Sequence, residues 1–296
     1  MIDRRNLLIT GLAALAPLRA ATGKMQLCLH QTTSAAAGYR KSLEGYSKAG
    51  VHSVEVIGAH LDAFVKAESM AAARRLLSDL GMKAVSSGGV RGLWEPGPAR
   101  AQAMEDMKRA AESAVALGAD RMVCPSPGGG KYTEDDYKRG VDNMREAGEI
   151  AKQYPITLMP EFMRGSTFIG TLPTVLKMTR EAAHAHVRPM LDCYHFQAGL
   201  SKFEDLELIR AGEIHHVHFQ DVPDLPREML DNSTREIPGE GVSPLPRILQ
   251  ALAAKGYAGP LSVELFYPKY QNGDPYEVAR RIREKAEAVM RAAGVL

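Results

Sequence analysis

The sequence predicts an α/β fold of the (β/α)8 class, a TIM barrel, and three observations carry that expectation. Eight short runs of β-type residues succeed one another along the chain. Longer stretches with apolar residues at three- and four-residue spacing separate them, the rhythm of helices between parallel strands. All eight units fit in about 270 residues, the usual size of such a barrel.

The strands follow in order. "MQLCLH" at 25 to 30 comes first, "SVEVIG" at 53 to 58 second, and "KAVSSG" at 83 to 88 third. The helical patterns between them end at Gly50 and Gly81, the residue type that most readily stops a helix in a left-handed turn. "ARAQAMEDMKRAAESAVALG" then reads as a long helix ending at Gly118, and "RMVCPS" at 121 to 126 as the fourth strand. "SPGGGKY" at 126 to 132 is glycine-rich but lacks the G-K-[ST] ending of a phosphate loop, so it reads as a connecting loop. "ITLMPE" at 156 to 161, "VRPMLD" at 187 to 192, "IHHVHF" at 214 to 219 and "LSVELF" at 261 to 266 complete the set, with a helix ending at Gly256 before the last. The stretch from Gln220 to Ser243 is the longest connection, rich in Pro, Asp and Gly, and a loop of that length in a compact domain usually serves function. A doubly wound open sheet is the competing arrangement. It would carry a glycine-rich dinucleotide turn after its first strand, and "LHQTTSAAAG" has no G-x-G-x-x-G.

The first residues differ from the rest. "MIDRRNLLITGLAALAPLRAATG" has an arginine pair, an apolar run from Leu7 to Leu18 and small residues at Ala20 and Ala21. That run is short for a bilayer span, so residues 1–22 read as an export signal of twin-arginine type and 23–296 as one barrel domain. The expected destination is the periplasm or beyond, without stable membrane insertion. A net charge of +2 over 296 residues gives no basic field for nucleic acid, which leaves small molecules as the expected partners. Cys28, Cys124 and Cys193 are odd in number and lie far apart in apolar segments, so they read as core residues rather than a disulfide framework.

Chemistry concentrates at strand ends, where a barrel builds its active site. Glu161 ends the fifth strand, Asp192 the sixth, and His218 and Glu264 lie in the seventh and eighth. Period-two alternation places Met159 with Glu161, Met190 with Asp192, His216 with His218, and Ser262 with Glu264 on one face, while Leu158, Leu191, Val217 and Val263 face the helices. Three carboxylates around one point repel one another and call for a cation. Three oxygen donors and one imidazole suit a divalent ion: Mn²⁺ first, with Mg²⁺, Co²⁺ or Zn²⁺ as alternatives. His195, three residues after Asp192, can reach a substrate oxygen beside the ion. A metal flanked by two glutamates suits proton abstraction next to a carbonyl, with one carboxylate taking the proton and the other returning it.

"PEF" at 160 to 162, "LDCYHF" at 191 to 196, "HVHFQD" at 216 to 221, "REIPGEG" at 235 to 241 and "LSVELF" followed by "YPKY" together resemble the xylose-isomerase-like TIM-barrel family of sugar isomerases and epimerases. Within it the likeness is strongest to the inosose (2-keto-myo-inositol) isomerases, and it runs over nearly the whole chain past the leader. The resemblance implies that Glu161, Asp192, His218 and Glu264 hold the metal, that Glu161 and Glu264 form the acid–base pair acting through a metal-stabilised enediolate, and that His195 and Arg235 bind substrate. It implies a keto-sugar or keto-cyclitol as substrate and is compatible with a homo-oligomer. Two features depart from the pattern. An export signal is foreign to cytoplasmic sugar catabolism, and Asp224 stands where ketose 3-epimerases tend to carry an arginine six residues after the histidine ligand. A dehydratase acting on a keto-cyclitol or 3-keto-sugar shares the opening proton abstraction and is the alternative, and a non-catalytic sugar-binding protein is a third. A nuclease on the same barrel would need more histidines and a basic groove.

Overall fold

The computed structural model describes residues 24–296; the expected export signal lies outside the described residues. Eight parallel strands form: β1 (Gln26–His30), β2 (Ser53–Val56), β3 (Lys83–Ser87), β4 (Arg121–Pro125), β5 (Thr157–Glu161), β6 (Leu191–Asp192), β7 (Val217–His218) and β8 (Pro260–Val263). They pair in the order β3-β2-β1-β8-β7-β6, with β4-β5 as a second ladder. Single parallel bridges, Gly89 to Val123 and Leu158 to Val187, join the two ladders at both edges and close the barrel. The helices between them are α1 (Gly38–Lys48), α2 (Gly58–Ala67), α3 (Met70–Asp79), α4 (Ala99–Leu117), α5 (Glu134–Ala151), α6 (Leu172–Ala182), α7 (Cys193–Ala198), α8 (Leu245–Ala254), α9 (Pro268–Gln271) and α10 (Pro275–Ala293). None of the described helices is long and apolar enough to cross a membrane.

Each expected strand is present, but β6 and β7 are shorter than the apolar runs that contain them. Pro189 has no N–H to give to a ladder, so regular pairing resumes only at Leu191. The backbone nonetheless follows the barrel wall: the N–H of His215 reaches the Pro189 carbonyl at 3.0 Å, and that of Leu191 reaches His216 at 3.1 Å. Gly118 ends α4 with φ of 84°, a left-handed conformation that a side chain would strain.

The expected alternation of faces holds. Leu158, Leu191, Val217 and Val263 are buried in the core between strands and helices. Met159 and Met190 pack with Val123 in a separate cluster inside the barrel. Residues sharing their register therefore point inward, and at the carboxyl ends of the strands those residues are the polar ones. The three cysteines are free and buried.

Candidate metal centre and active site

Asp192 shows how a carboxylate comes to sit at the end of an apolar strand. β6 passes directly into α7, and Asp192 is the cap of that helix: its Oδ1 accepts the N–H of His195 at 2.6 Å. Its Oδ2 accepts from Gln220 Nε2 at 2.8 Å and Arg235 Nη1 at 3.0 Å. It also lies 3.3 Å from His218 Nδ1. Glu161 and His218 are the last residues of β5 and β7, and Glu264 directly follows β8. His218 Nδ1 is 3.0 Å from Glu161 Oε1 and 3.4 Å from Glu264 Oε2. One donor atom from each of the four falls within 4.8 Å of every other. All four side chains are buried.

The donor set fits a divalent cation. With Glu55 below them, four buried carboxylates meet a single guanidinium, that of Arg235, so negative charge is in excess in a medium where unbalanced charge is costly. The same surplus appears in the proton affinities. Burial pushes Glu161 up to about 7, the neighbouring Asp192 and Glu264 adding to the effect against His218. Burial also opposes ionisation of Asp192 and Glu264, but Arg235 and the contact with His218 hold the first well below its usual range, and His218 and Arg235 hold the second below its own. His218 is driven the other way: burial disfavours its charge, and Glu264 and Glu55 overcome it, raising it well above the ordinary histidine value.

Glu55, which the sequence offers unranked beside His30 and Trp94 as a first-half residue shaping the pocket, fixes the orientation of His218. Its Oε2 lies 3.2 Å from His218 Nε2 and 3.0 Å from His216 Nε2. A carboxylate only accepts, so both rings carry a proton on Nε2, and it is the second proton of His218, on Nδ1 among the three other carboxylates, that a metal ion would displace. His216, one inward layer below His218 as its register implied, therefore belongs to the support of the site. Ser53 to Val56 is a fully buried strand, and a glutamate within it is the one available signal.

Arg235 is brought in by the long connection after β7. Asp221 anchors that connection: Oδ1 accepts from the N–H groups of Val222 and Ser243, and Oδ2 from that of Gly239. Asp221 and Glu236 pair as an antiparallel bridge, which leaves Arg235 pointing at the strand ends. Its Nη1 donates to Asp192 and, at 2.6 Å, to Glu264, and its guanidinium lies 5.1 Å from the Tyr194 ring and 4.9 Å from that of Phe266. Glu240, on the same loop, pairs with Arg281 and not with Arg235.

His195 lines the same cavity, but its ring contacts protein. Nε2 is 3.0 Å from Arg235 Nη2, and Nδ1 is 3.3 Å from the N–H of Arg164. Burial lowers this histidine to about 4, so it is neutral, and a neutral ring accepts at one nitrogen only. One of the two contacts is therefore poor. His30 also lines the cavity, 3.7 Å from Glu264, whereas Trp94 is wholly buried and donates to the Cys124 carbonyl. Asp224 is exposed on the loop. Above the cluster lies a cavity of about 840 Å³, whose lining includes Glu161, His195, His218, Arg235 and Glu264.

The fold and the site define a parallel α/β barrel with a buried carboxylate–histidine cluster, of a kind that could hold a metal ion, at the carboxyl ends of its last four strands. Residues 43–291 match the family described as xylose isomerase-like TIM barrel, and the chain belongs to that family. Among curated proteins it is 30% identical over 162 residues to an inosose isomerase of Halalkalibacterium halodurans, covering 54% of this chain and 57% of that protein. An inosose isomerase of Bacillus subtilis is 30% identical over 46% of this chain and 50% of its own length. The matches thus span little more than half of these relatives. A 3-dehydroshikimate dehydratase of Pseudomonas putida is 29% identical over 43% of this chain and 20% of its own. Among solved structures, an IolI protein with a bound zinc atom superposes with a TM-score of 0.83 at 23% identity, covering 90% of this chain and 98% of the other. An L-ribulose 3-epimerase superposes at 0.74 and 19% identity over 91% of this chain and 96% of the other, a likeness of fold.

Proposed function

We propose that the protein is a divalent-metal-dependent isomerase or epimerase of a keto-sugar or keto-cyclitol. The observation that carries the reading is geometric: two glutamates, Glu161 and Glu264, line one cavity and meet in a single buried cluster with Asp192 and His218. Two carboxylates facing one cavity can serve the two halves of a proton transfer. Glu264 takes the proton from the carbon beside the ketone, and Glu161 returns one, drawn from water, on the neighbouring atom or the opposite face. A divalent ion held by Glu161, Asp192, His218 and Glu264 supplies polarisation of the ketone and its adjacent hydroxyl when bound. Arg235 and His195 meet the substrate oxygens on the loop side, the histidine exchanging its poor contact for a hydroxyl. Three oxygen donors and a nitrogen keep Mn²⁺ as the proposed ion, and the barrel relatives named for inosose and ribulose support a polyhydroxylated ketone as substrate.

Loss of water after the same abstraction is the second reading, favoured by the likeness to the 3-dehydroshikimate dehydratase. One experiment addresses both. Mn²⁺-loaded protein incubated with inososes and ketoses in deuterium oxide is expected to exchange the proton beside the carbonyl, and Glu264→Gln is expected to slow exchange by about 10²- to 10⁴-fold. Enone absorbance in the product would assign the dehydratase. Absence of exchange on every substrate, with metal bound, would overturn the enzyme reading.

A further inference from the structure

The cavity does not stop at the strand ends. It leaves the mouth over Gly88 and Gly89, at the tip of β3, and continues between α2 and α4, where Asp62 faces it from one side and the stretch from Asp106 to Ser113 from the other. Seven helical steps of 1.5 Å, from Asp106 to Ser113, give that wall a length of roughly 10 Å. A single sugar ring held by His195, Arg235 and the metal ligands occupies the strand-end portion and leaves this arm untouched, and about 840 Å³ lies towards the upper end of the range for pockets that enclose larger ligands.

The floor of the arm is built for close approach. Gly88 adopts φ of 78°, and a Cβ there would come within 3.2 Å of Ala110. Beside it, Ser87 lines the cavity, is 1% exposed, and its hydroxyl has no hydrogen-bond partner among the described residues. A buried hydroxyl facing a cavity without a protein partner points to a ligand group that meets it. The charges rule out a dedicated anion site. Asp62, Asp106 and Glu112 outnumber Arg91 and Arg109, and Arg109 is already paired with Asp106. A polar lining of mixed sign suits hydroxyl groups rather than a phosphate.

We propose that the substrate is a glycoside: the reacting keto ring lies at the metal centre, and a second sugar ring lies in the arm between α2 and α4, with Ser87 Oγ bonded to one of its hydroxyls. The inference rests on the isomerase reading of the same site, and its test separates the two. Full-length, Mn²⁺-loaded protein is titrated calorimetrically with two unreactive ligands, myo-inositol and its O-galactoside. The galactoside is expected to bind at least tenfold more tightly, and Ser113→Trp, which fills the outer arm from an already half-exposed helix position, is expected to erase that advantage. Ser87→Ala is expected to remove part of it. Equal affinities, or an advantage that survives Ser113→Trp, would overturn the arm; should free inososes still exchange deuterium in that case, the isomerase reading stands alone. An affinity difference found without exchange on any ketone or keto-glycoside supports the arm and sinks the chemistry.

Discussion

Glu55 illustrates what a single residue contributes from beneath the four-residue cluster. By accepting the Nε2 protons of both His216 and His218, it fixes the ring plane of the one imidazole in that cluster. Burial raises its proton affinity, but His216, His218 and His30 more than offset that and hold it well below the usual glutamate range, so it stays an acceptor throughout the working pH range. Glu55→Gln removes the charge; because both Nε2 protons go to one carboxylate oxygen and the other has no partner, the amide oxygen can still accept them, but without the charge that strengthens the hold on His218. Metal titration by calorimetry is expected to show Mn²⁺ affinity falling by about 10- to 100-fold, with folding retained by circular dichroism. Unchanged affinity would mean that His218 is held by the barrel backbone alone. Among the residues, those at strand ends were legible because register and residue type coincide there. The role of Glu55, and Gln220 altogether, were not, because they exist only through partners that the chain brings from 161 and 28 positions away.

At the scale of elements, the connection from Gln220 to Ser243 decides whether Arg235 reaches the site. Asp221 collects three backbone N–H groups at its hub, and Gly241 is packed so tightly there that a Cβ would lie 2.6 Å from Asp221 Oδ1. This gives the second glycine of "PGEG" a physical reason. Asp221→Ala leaves three buried or half-buried donors without their acceptor, at about 1–3 kcal/mol for each that water does not reach. Urea denaturation is expected to show a loss of that order, and kcat/KM is expected to fall more than Mn²⁺ affinity, because the loop carries Arg235 while the ligands stand on strands. Equal losses in both would show that the loop supports the metal centre itself. Apolar runs and terminal glycines made the eight βα units readable from sequence. The shortness of β6 was not anticipated, although Pro189 stood in the run: a proline withholds one bond without diverting the chain. The loop was recognisable as functional by its length, but not the Asp221 hub, which depends on three backbone groups far apart in the sequence.

For the molecule as a whole, the barrel converges four strand ends on a point where the chain supplies more negative charge than positive, so stability and metal binding are linked through protons. Glu161 is pushed up to about 7 in the folded protein against about 4.3 in an unfolded chain. Its preference for the proton supports the metal-free fold below the lower value, and that support is lost as pH rises through the upper one. A bound cation reverses the preference, because it requires the carboxylate. Free Mn²⁺ at a hundred times its dissociation constant is expected to stabilise the fold by about 2.7 kcal/mol, a rise in Tm of roughly 5–10 °C for a chain of this size. The gap between Mn²⁺-loaded and chelator-treated protein in thermal scans should be small at pH 5.5 and widen towards pH 8, as the metal-free form loses stability and the proton ceases to compete for Glu161. Raising His218 well above its ordinary value acts in the same direction, since that proton too must leave before the ring can bind an ion. In Glu161→Gln the carboxyl proton no longer takes part, so the widening should become shallower. A gap independent of pH in the native protein would remove Glu161 from the ligand set.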